Sequence, residues 1–316
     1  MTNGRFCKTR LNLPSKEQYF NDAANSTNSA AVGDNKGMRP ELTEAAQFLR
    51  SGEVEKALPL LQNTVFSFSM KVCGHREDAE DTAQDVLLKS FRHLQKIDEP
   101  KALAVWLYKV ARNHCWMSRR RSKFAPQQTL SLDELMPDSA ELESITTGGD
   151  ANPETQALTK QEAERVREAV LRIPPQYRMI LVLHDMEDLD TEEVAKISGL
   201  RPGTVRVRLH RARLFVRREL ARDRKPASKK AKGRKKPVEC RRLFAALSDY
   251  IDKRVDNLSC DHIKKHLEDC PPCVAFMNDL SRAVERCKSL DVPCDPRTME
   301  SLRRLLADEF ARVTNT

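Results

Sequence analysis

Apolar residues recur at helical spacing along most of the chain beyond residue 40. Between residues 79 and 94 they fall on one face of a predicted helix, while carboxylates and amides lie beside or opposite that face. Gly74 predicts the end of the preceding helix, and Pro100 predicts the start of the following one. Helical spacing returns between residues 155 and 220. The apolar face of the 79–94 helix consists of Ala79, Ala83, Val86, Leu87, Phe91 and Leu94.

Composition supports a helical protein. Aromatic residues make up 5% of the 316 residues and charged residues 32%, which suits small helical domains better than a sandwich or barrel. We therefore predict an all-α fold. Changes in composition predict a disordered tail at 1–40, helical domains at 41–124, 161–224 and 238–316, and linkers at 125–160 and 225–237.

Positive charge is concentrated in one short segment. Residues 224–236 hold eight basic residues and no acid, against a net charge of +9 for the whole chain. Such a segment favours contact with a polyanion, and the alternative is a flexible spacer kept open by its own repulsion.

The sequence predicts a cytoplasmic protein. Residues 1–37 contain no apolar stretch typical of a secretion signal, and the longest strongly apolar run, residues 179–183, is too short to span a bilayer. Thiols stay reduced in the cytoplasm, so nine cysteines indicate metal ligands, redox-active thiols or packing residues before disulfides.

Residues 190–213, DTEEVAKISGLRPGTVRVRLHRAR, have the pattern of a helix-turn-helix. Asp190 and Glu193 have the spacing of a capping box at the start of the first helix. Gly199 supplies a left-handed turn, and Ala195 is small where the two helices would cross. The second helix has an apolar stripe of Val205, Leu209, Ala212 and Val216.

The opposite side of the second helix predicts contact with the DNA major groove. Eight arginines lie between residues 201 and 222, and the alternative interpretation is a merely solvated basic helix. The predicted DNA-contacting side chains of this helix are Thr204, Arg206, Val207, His210 and Arg211.

A cluster of histidine and cysteine near the end of the chain predicts a metal site. His266 and Cys270 are four residues apart and share a helix face, and Cys270 and Cys273 form a C-x-x-C pair. A closed tetrahedral site needs a fourth ligand, for which we favour Cys240. The competing ligands are Cys260 and His262. Four protein ligands would leave no open position, so we expect structural zinc and no catalysis.

Four segments resemble a known protein family. Residues 75–91 (HREDAEDTAQDVLLKSF), 104–121, 172–200 and 203–213 resemble regions 2 and 4 of bacterial sigma factors of the extracytoplasmic-function type, in the sigma-70 family. Residues 240–273 resemble the zinc-binding anti-sigma fold, also called a putative zinc finger. The resemblance implies that the 41–124 domain binds core RNA polymerase and the minus-ten promoter element. It also implies that the 161–224 domain reads the minus-thirty-five element.

The resemblance also assigns candidate residues in the first domain. Asp81, Gln84 and Asp85 match the acidic face that docks on the clamp helices of the largest polymerase subunit. The helix from Trp106 to Arg121 matches the binder of the melted DNA strand, where basic groups follow phosphates and aromatic rings stack on bases. Trp106 is expected in the core, while Trp116 suits packing and nucleic acid equally. The candidate DNA-contacting residues of this helix are Arg112, Asn113, Trp116, Arg119 and Arg120.

These patterns together predict a non-enzymatic sigma factor that carries a zinc-binding regulatory domain in the same chain. Its expected partners are core RNA polymerase and promoter DNA, with a contact between the zinc domain and the sigma domains and none with membranes. The alternatives are an anti-sigma-like zinc-binding adaptor or DNA-binding regulator, and a zinc hydrolase.

Overall fold

The structure is a computed structural model that describes residues 39–94, 99–120, 131–135, 160–222 and 238–304. Nearly all of the predicted tail at 1–40 and of the linker at 125–160 lies outside these residues, as does the whole basic linker at 225–237. The described residues contain helices and no β-strand, which confirms the predicted all-α class. No described helix is long and apolar enough to cross a membrane.

Thirteen helices lie in three units within the described residues. The N-terminal unit, residues 39–120, contains α1 (Pro40–Arg50), α2 (Val54–Cys73), α3 (Arg76–Leu94) and α4 (Pro100–Arg120). The central unit contains α5 (Leu132–Leu135), α6 (Lys160–Arg172), α7 (Pro175–Leu181), α8 (Thr191–Ser198) and α9 (Pro202–Arg222). The C-terminal unit contains α10 (Val238–Ile251), α11 (Asn257–Asp269), α12 (Pro271–Lys288) and α13 (296–304).

Local sequence explains several of these helix boundaries. Gly74 ends α2 with a left-handed φ of 80°, and its N–H donates to the carbonyl of Met70 at 2.9 Å. Pro100 and Pro175 begin α4 and α7, where a missing N–H leaves no helical hydrogen bond unmade. Beyond α7, the chain continues as a π-helical turn, Val182–Met186.

The three units share one continuous apolar core. Within the N-terminal unit, Phe68 of α2 and Tyr108 of α4 bring their ring centroids to 5.0 Å. The central unit lies against the N-terminal unit, with α8 on α4 and with α6 and α7 on α2. The C-terminal unit lies against the central unit through α10 and α12, which both contact α9. The predicted DNA-reading helix is therefore held between its own domain and the C-terminal unit.

The chain returns to the N-terminal unit after α12. The N–H of Cys294 donates to Asn63 Oδ1 at 3.0 Å, and the hydroxyl of Thr298 donates to Glu80 Oε1 at 2.8 Å. Arg76, at the start of α3, binds both Asp295 and Thr298. The C-terminal unit thus touches the same helix that carries the predicted polymerase-docking carboxylates.

Candidate nucleic-acid interface and metal centre

Helices α8 and α9 form the predicted helix-turn-helix. Asp190 Oδ1 accepts from the N–H of Glu193 at 2.8 Å, and Glu193 Oε2 accepts from the N–H of Asp190 at 2.8 Å. This reciprocal pair is the predicted capping box. Gly199 ends α8 with a φ of 67°, a left-handed conformation that glycine adopts without steric cost. The predicted turn chemistry is therefore confirmed at both ends of α8.

The N-terminal half of α9 presents a polar face to solvent. Thr204 and Arg206 are exposed, Arg211 is half-buried, and Val207 is 52% exposed, a large value for an apolar side chain. Recognition helices contact base edges mainly through residues of their N-terminal half. The predicted apolar stripe faces the core, where Val205, Leu209, Ala212 and Val216 are buried.

His210 does not lie on this exposed face, so its predicted orientation is wrong in this structure. It is only 7% exposed, its Nδ1 lies 2.8 Å from Ser248 Oγ, and its ring meets the ring of Phe244 edge-on at 6.0 Å. Both partners belong to α10. The periodicity of α9 alone predicts one buried face, whereas the C-terminal unit covers a second face next to the first.

Burial changes the acid–base chemistry of His210. Removal from water, together with the positive charges of Arg213 and Arg211, lowers the pKa of the imidazole to about 4. The ring is therefore neutral at physiological pH while α10 covers it.

Two arginines of α9 that the sequence did not single out hold the C-terminal unit. Arg213 donates to Asp185 Oδ2 from Nε at 2.8 Å and to Asp252 Oδ1 from Nη2 at 2.8 Å. Arg217 donates to Asp279 Oδ2 at 2.7 Å. Both arginine side chains are 1% exposed.

The electrostatics around Arg213 favour the charged forms of this arginine and of Asp185 in the central unit. Burial alone would raise the pKa of Asp185, but the charge and hydrogen bonds of Arg213 outweigh it and hold that pKa well below its usual range. The arginines' only sequence signal is that they follow His210 by three and seven positions on the same side of α9. Their acidic partners in the C-terminal unit, Asp252 and Asp279, lie far along the chain.

The polymerase-docking candidates lie together on α3. Asp81 is exposed, and Gln84 and Asp85 are half-buried. Asp85 Oδ2 lies 3.1 Å from Nε2 of His114 on α4, and the other ring nitrogen of His114 lies 3.0 Å from Thr82 Oγ1. The imidazole therefore ties the acidic face of α3 to α4.

Helix α4 carries the candidates for melted-strand binding. Arg112 is half-buried and donates to Asn113 Oδ1 at 3.2 Å, while Asn113 is exposed. Trp106 is half-buried against the core, in keeping with its predicted packing role. The side chains of Trp116, Arg119 and Arg120 lie outside the described part of the structure.

The four favoured metal ligands converge in the C-terminal unit. One donor atom from each of Cys240, His266, Cys270 and Cys273 lies within 4.8 Å of the other three. His266 Nε2 is 3.6 Å from Cys240 Sγ and 3.4 Å from Cys273 Sγ. Bond lengths of about 2.3 Å to sulfur and about 2.0 Å to nitrogen place tetrahedral donors about 3.5 Å apart. The residues therefore fit a closed four-coordinate metal ion.

The competing ligands lie outside this cluster. Cys260 is buried and His262 is exposed, and neither belongs to the group of converging donors among the described residues. Burial raises the pKa of the Cys273 thiol well above its usual value, and the neighbouring Cys270 and Cys240 raise it further. A bound divalent cation would instead lower the pKa of these thiols, because it binds the thiolate form.

Comparison with protein families matches three parts of the chain. "Sigma-70 region 2" matches residues 59–124, "Sigma-70, region 4" matches residues 163–216, and "Putative zinc-finger" matches residues 240–273. The zinc-finger match begins and ends at two of the four clustered metal-ligand candidates, Cys240 and Cys273.

Curated relatives share the sigma-factor part of the chain. ECF RNA polymerase sigma factor SigW of Bacillus subtilis is 23% identical over 161 residues, which cover 51% of this chain and 85% of the relative. ECF RNA polymerase sigma factor SigE of Mycolicibacterium smegmatis is 30% identical over 158 residues, which cover 50% of this chain and 57% of the relative.

A solved structure of the sigma factor RpoE with the anti-sigma factor NepR from Bartonella quintana is also similar. It is 19% identical, with a TM-score of 0.36, over 58% of this chain and 96% of that one. The family matches and the curated relatives agree with the geometry of α8 and α9. The chain contains matches to sigma-70 regions 2 and 4 followed by a zinc-finger match, and the curated relatives SigW and SigE that it resembles are extracytoplasmic-function RNA polymerase sigma factors.

Proposed function

We propose that this chain directs core RNA polymerase to specific promoters and takes part in strand opening. The observation that carries the proposal is the capped helix-turn-helix of α8 and α9, which presents Thr204, Arg206 and Val207 to solvent. A match to sigma-70 region 2 precedes it in the sequence. In this proposal α9 reads the minus-thirty-five element in the major groove. Like other sigma factors, the chain would bind and position other molecules and carry out no covalent chemistry.

The N-terminal unit would supply the polymerase and minus-ten contacts. Asp81, Gln84 and Asp85 form an acidic patch on α3 that suits a basic coiled coil on the polymerase. Arg112 and Asn113 of α4, with Trp116, Arg119 and Arg120 further along the helix, would follow the melted strand.

Promoter affinity of the holoenzyme tests the assignment of α9. If Arg206 or Arg211 reads a base, its replacement with alanine should weaken promoter binding by about 1 to 3 kcal/mol and relax the sequence preference at one base pair. If the side chain holds a phosphate, the same replacement should weaken binding to all DNA sequences equally. Lys160→Ala, which removes an exposed charge at the start of α6, serves as the control. Unchanged promoter affinity of both arginine variants would overturn this assignment.

We propose zinc as the metal of the C-terminal unit. Three thiolates and one imidazole make a soft donor set that suits zinc. When bound, the ion would supply a structural cross-link between the start of α10, α11 and the start of α12. In so small a unit, this link can contribute on the order of 10 kcal/mol to folding.

We further propose that the C-terminal unit regulates the sigma domains in the same chain. Asp252 and Asp279 hold two arginines of the DNA-reading helix, and Ser248 and Phe244 cover His210. Since the unit is tethered, its effective concentration near α9 is high and regulation needs no second protein.

A further inference from the structure

Within the part of the chain that the structure describes, the carboxylate of Glu187 makes its polar contacts with another domain. Its side chain is fully buried at the end of the π-helical turn of the central unit. Lys71 Nζ lies 2.9 Å from Oε1, and the hydroxyl of Tyr108 donates to Oε2 at 2.6 Å. Arg39 Nε lies 2.8 Å from Oε2. Lys71, Tyr108 and Arg39 all belong to the N-terminal unit.

A cation of the central unit, Arg178, crosses the same boundary in the opposite direction. Arg178 of α7 donates from Nη1 to the carbonyl of Val72 at 2.7 Å, and it also binds the carbonyls of Leu171 and Ile173 in its own unit. Val72 lies in the last turn of α2, where carbonyls have no helical partner and the helix end is partly negative. Arg178 therefore caps a helix of region 2 from within region 4.

The backbone at this boundary is shaped for close approach. A Cβ atom on Gly74 would lie 2.7 Å from Cδ2 of Leu171. Gly74 thus ends α2 and leaves room for the side chain of Leu171 on α6.

The closed arrangement is incompatible with simultaneous use of both promoter elements. The elements are named for positions about 25 base pairs apart, which at about 3.4 Å per base pair separates them by on the order of 85 Å along straight B-DNA. The two reading units instead share a direct ion pair, and α8 packs on α4.

We infer that the contacts of Glu187 with Lys71, Tyr108 and Arg39 form a latch between regions 2 and 4, separate from the zinc-binding unit, which must open before promoter binding. This inference rests on the proposed sigma function. The latch holds the sigma domains closed through their own residues, and docking on core polymerase would supply the energy that opens it.

The chemistry of the latch suits a reversible contact. A buried ion pair adds little net stability compared with apolar packing, but loss of one partner leaves a buried charge without compensation. When the units separate, water can solvate all four side chains. Burial lowers the pKa of Lys71, and the nearby Glu187 raises it, so the ammonium depends on its partner across the boundary.

The test uses the full zinc-loaded chain with Glu187→Gln, which keeps the side-chain shape and removes the charge. Small-angle X-ray scattering reports the radius of gyration, and titration with core polymerase reports affinity. Glu187→Gln should expand the chain and tighten apparent polymerase binding about tenfold, because more molecules are already open. Glu168→Gln, in an exposed ion pair with Arg172 on the same unit, should change neither.

Lys71→Met on the other side of the boundary guards against a local folding defect in region 4. It should also expand the chain, and the double variant should expand it no further than either single variant, because both remove one interaction. Zinc content and helix content are measured for each protein. An unchanged radius in Glu187→Gln with native helix content would overturn the latch. If that variant loses helix content, an unchanged radius in Lys71→Met would overturn it instead.

The scattering result does not depend on the polymerase. Expansion of both variants while no form of the chain binds polymerase would support the latch and contradict the proposed function. Polymerase binding by every form, with no expansion in either variant, would support the proposed function and contradict the latch.

Discussion

His210 is the residue whose environment differs most from what the sequence predicts. Its position on α9 suits groove contact, yet Ser248 and Phe244 of α10 cover it. Periodicity within one helix identifies the face toward its own domain, but it cannot identify a face covered by a segment 30 or more residues later in the chain. Arg213 and Arg217 escaped the sequence analysis for the same reason.

The burial of His210 predicts that docking of the C-terminal unit depends on pH. The pKa of His210 is lowered from an ordinary value of 6.5 to about 4, first by burial and then by Arg213 and Arg211 of its own helix. Because α10 contributes to the burial, docking favours the neutral form. Docking should be complete above pH 6.5 and weaken as the pH falls toward 4, by up to about 3 kcal/mol. Hydrogen exchange of α10 across this range is the measurement.

Loss of the proposed zinc ion at low pH would be the main confounding effect, so metal content is measured at every point. The control is His210→Gln, which cannot gain a proton in this range. An identical pH response in the control and the wild type, with zinc retained in both, would show that His210 does not govern docking.

At the scale of elements, the start and end of α8 were predictable from local chemistry. Asp190, Glu193 and Gly199 act through backbone groups within a few residues, so sequence spacing determines their geometry. The cluster of candidate metal ligands was predictable for a similar reason, since three of its four residues lie within residues 266–273. Cys240 required the further argument that a closed site needs a fourth donor.

Gly199 and Gly203 allow a matched test of the turn. Neither would meet another atom within 4 Å if it carried a Cβ, but only Gly199 has a positive φ. Gly199→Ala should therefore destabilise the protein by about 1 to 2 kcal/mol. Gly203→Ala, in the first turn of α9, should be neutral or slightly stabilising. Chemical denaturation monitored by circular dichroism measures both; equal effects would contradict the role assigned to the turn.

Removal of the metal should unfold the C-terminal unit. Cys270→Ser together with Cys273→Ser, or treatment with a chelator, removes donors that link α10, α11 and α12. We expect loss of bound zinc and a drop in helix content, with recovery on re-addition of zinc to the chelated wild type. Cys287→Ser is a control outside the cluster. A wild-type protein that contains no metal after purification in zinc-containing buffer would contradict the site.

At the scale of the whole molecule, the sequence predicts the domains and leaves their arrangement open. The pairs Arg213–Asp252, Arg217–Asp279 and Lys71–Glu187 each join residues of different units. A charged residue that pairs across a domain boundary has the same local pattern as one that faces water. These contacts therefore required the three-dimensional structure.

Release of the C-terminal unit should activate transcription if that unit inhibits the sigma domains. Asp252→Asn together with Asp279→Asn removes the acceptor charges for Arg213 and Arg217 while the zinc ligands stay intact. We expect a several-fold rise in promoter-specific transcript at equal protein concentration. Asp261→Asn, on the exposed face of α11, should have no effect. Equal transcription by all three proteins would contradict inhibition within the chain.

Run-off transcription with purified core RNA polymerase and genomic promoter fragments tests the central claim most directly. The account predicts transcripts with defined start sites that appear only when the chain is added, and more of them from a chain that ends at Arg222. The absence of any specific transcript with both the full and the shortened chain, together with no binding to core polymerase, would contradict the account.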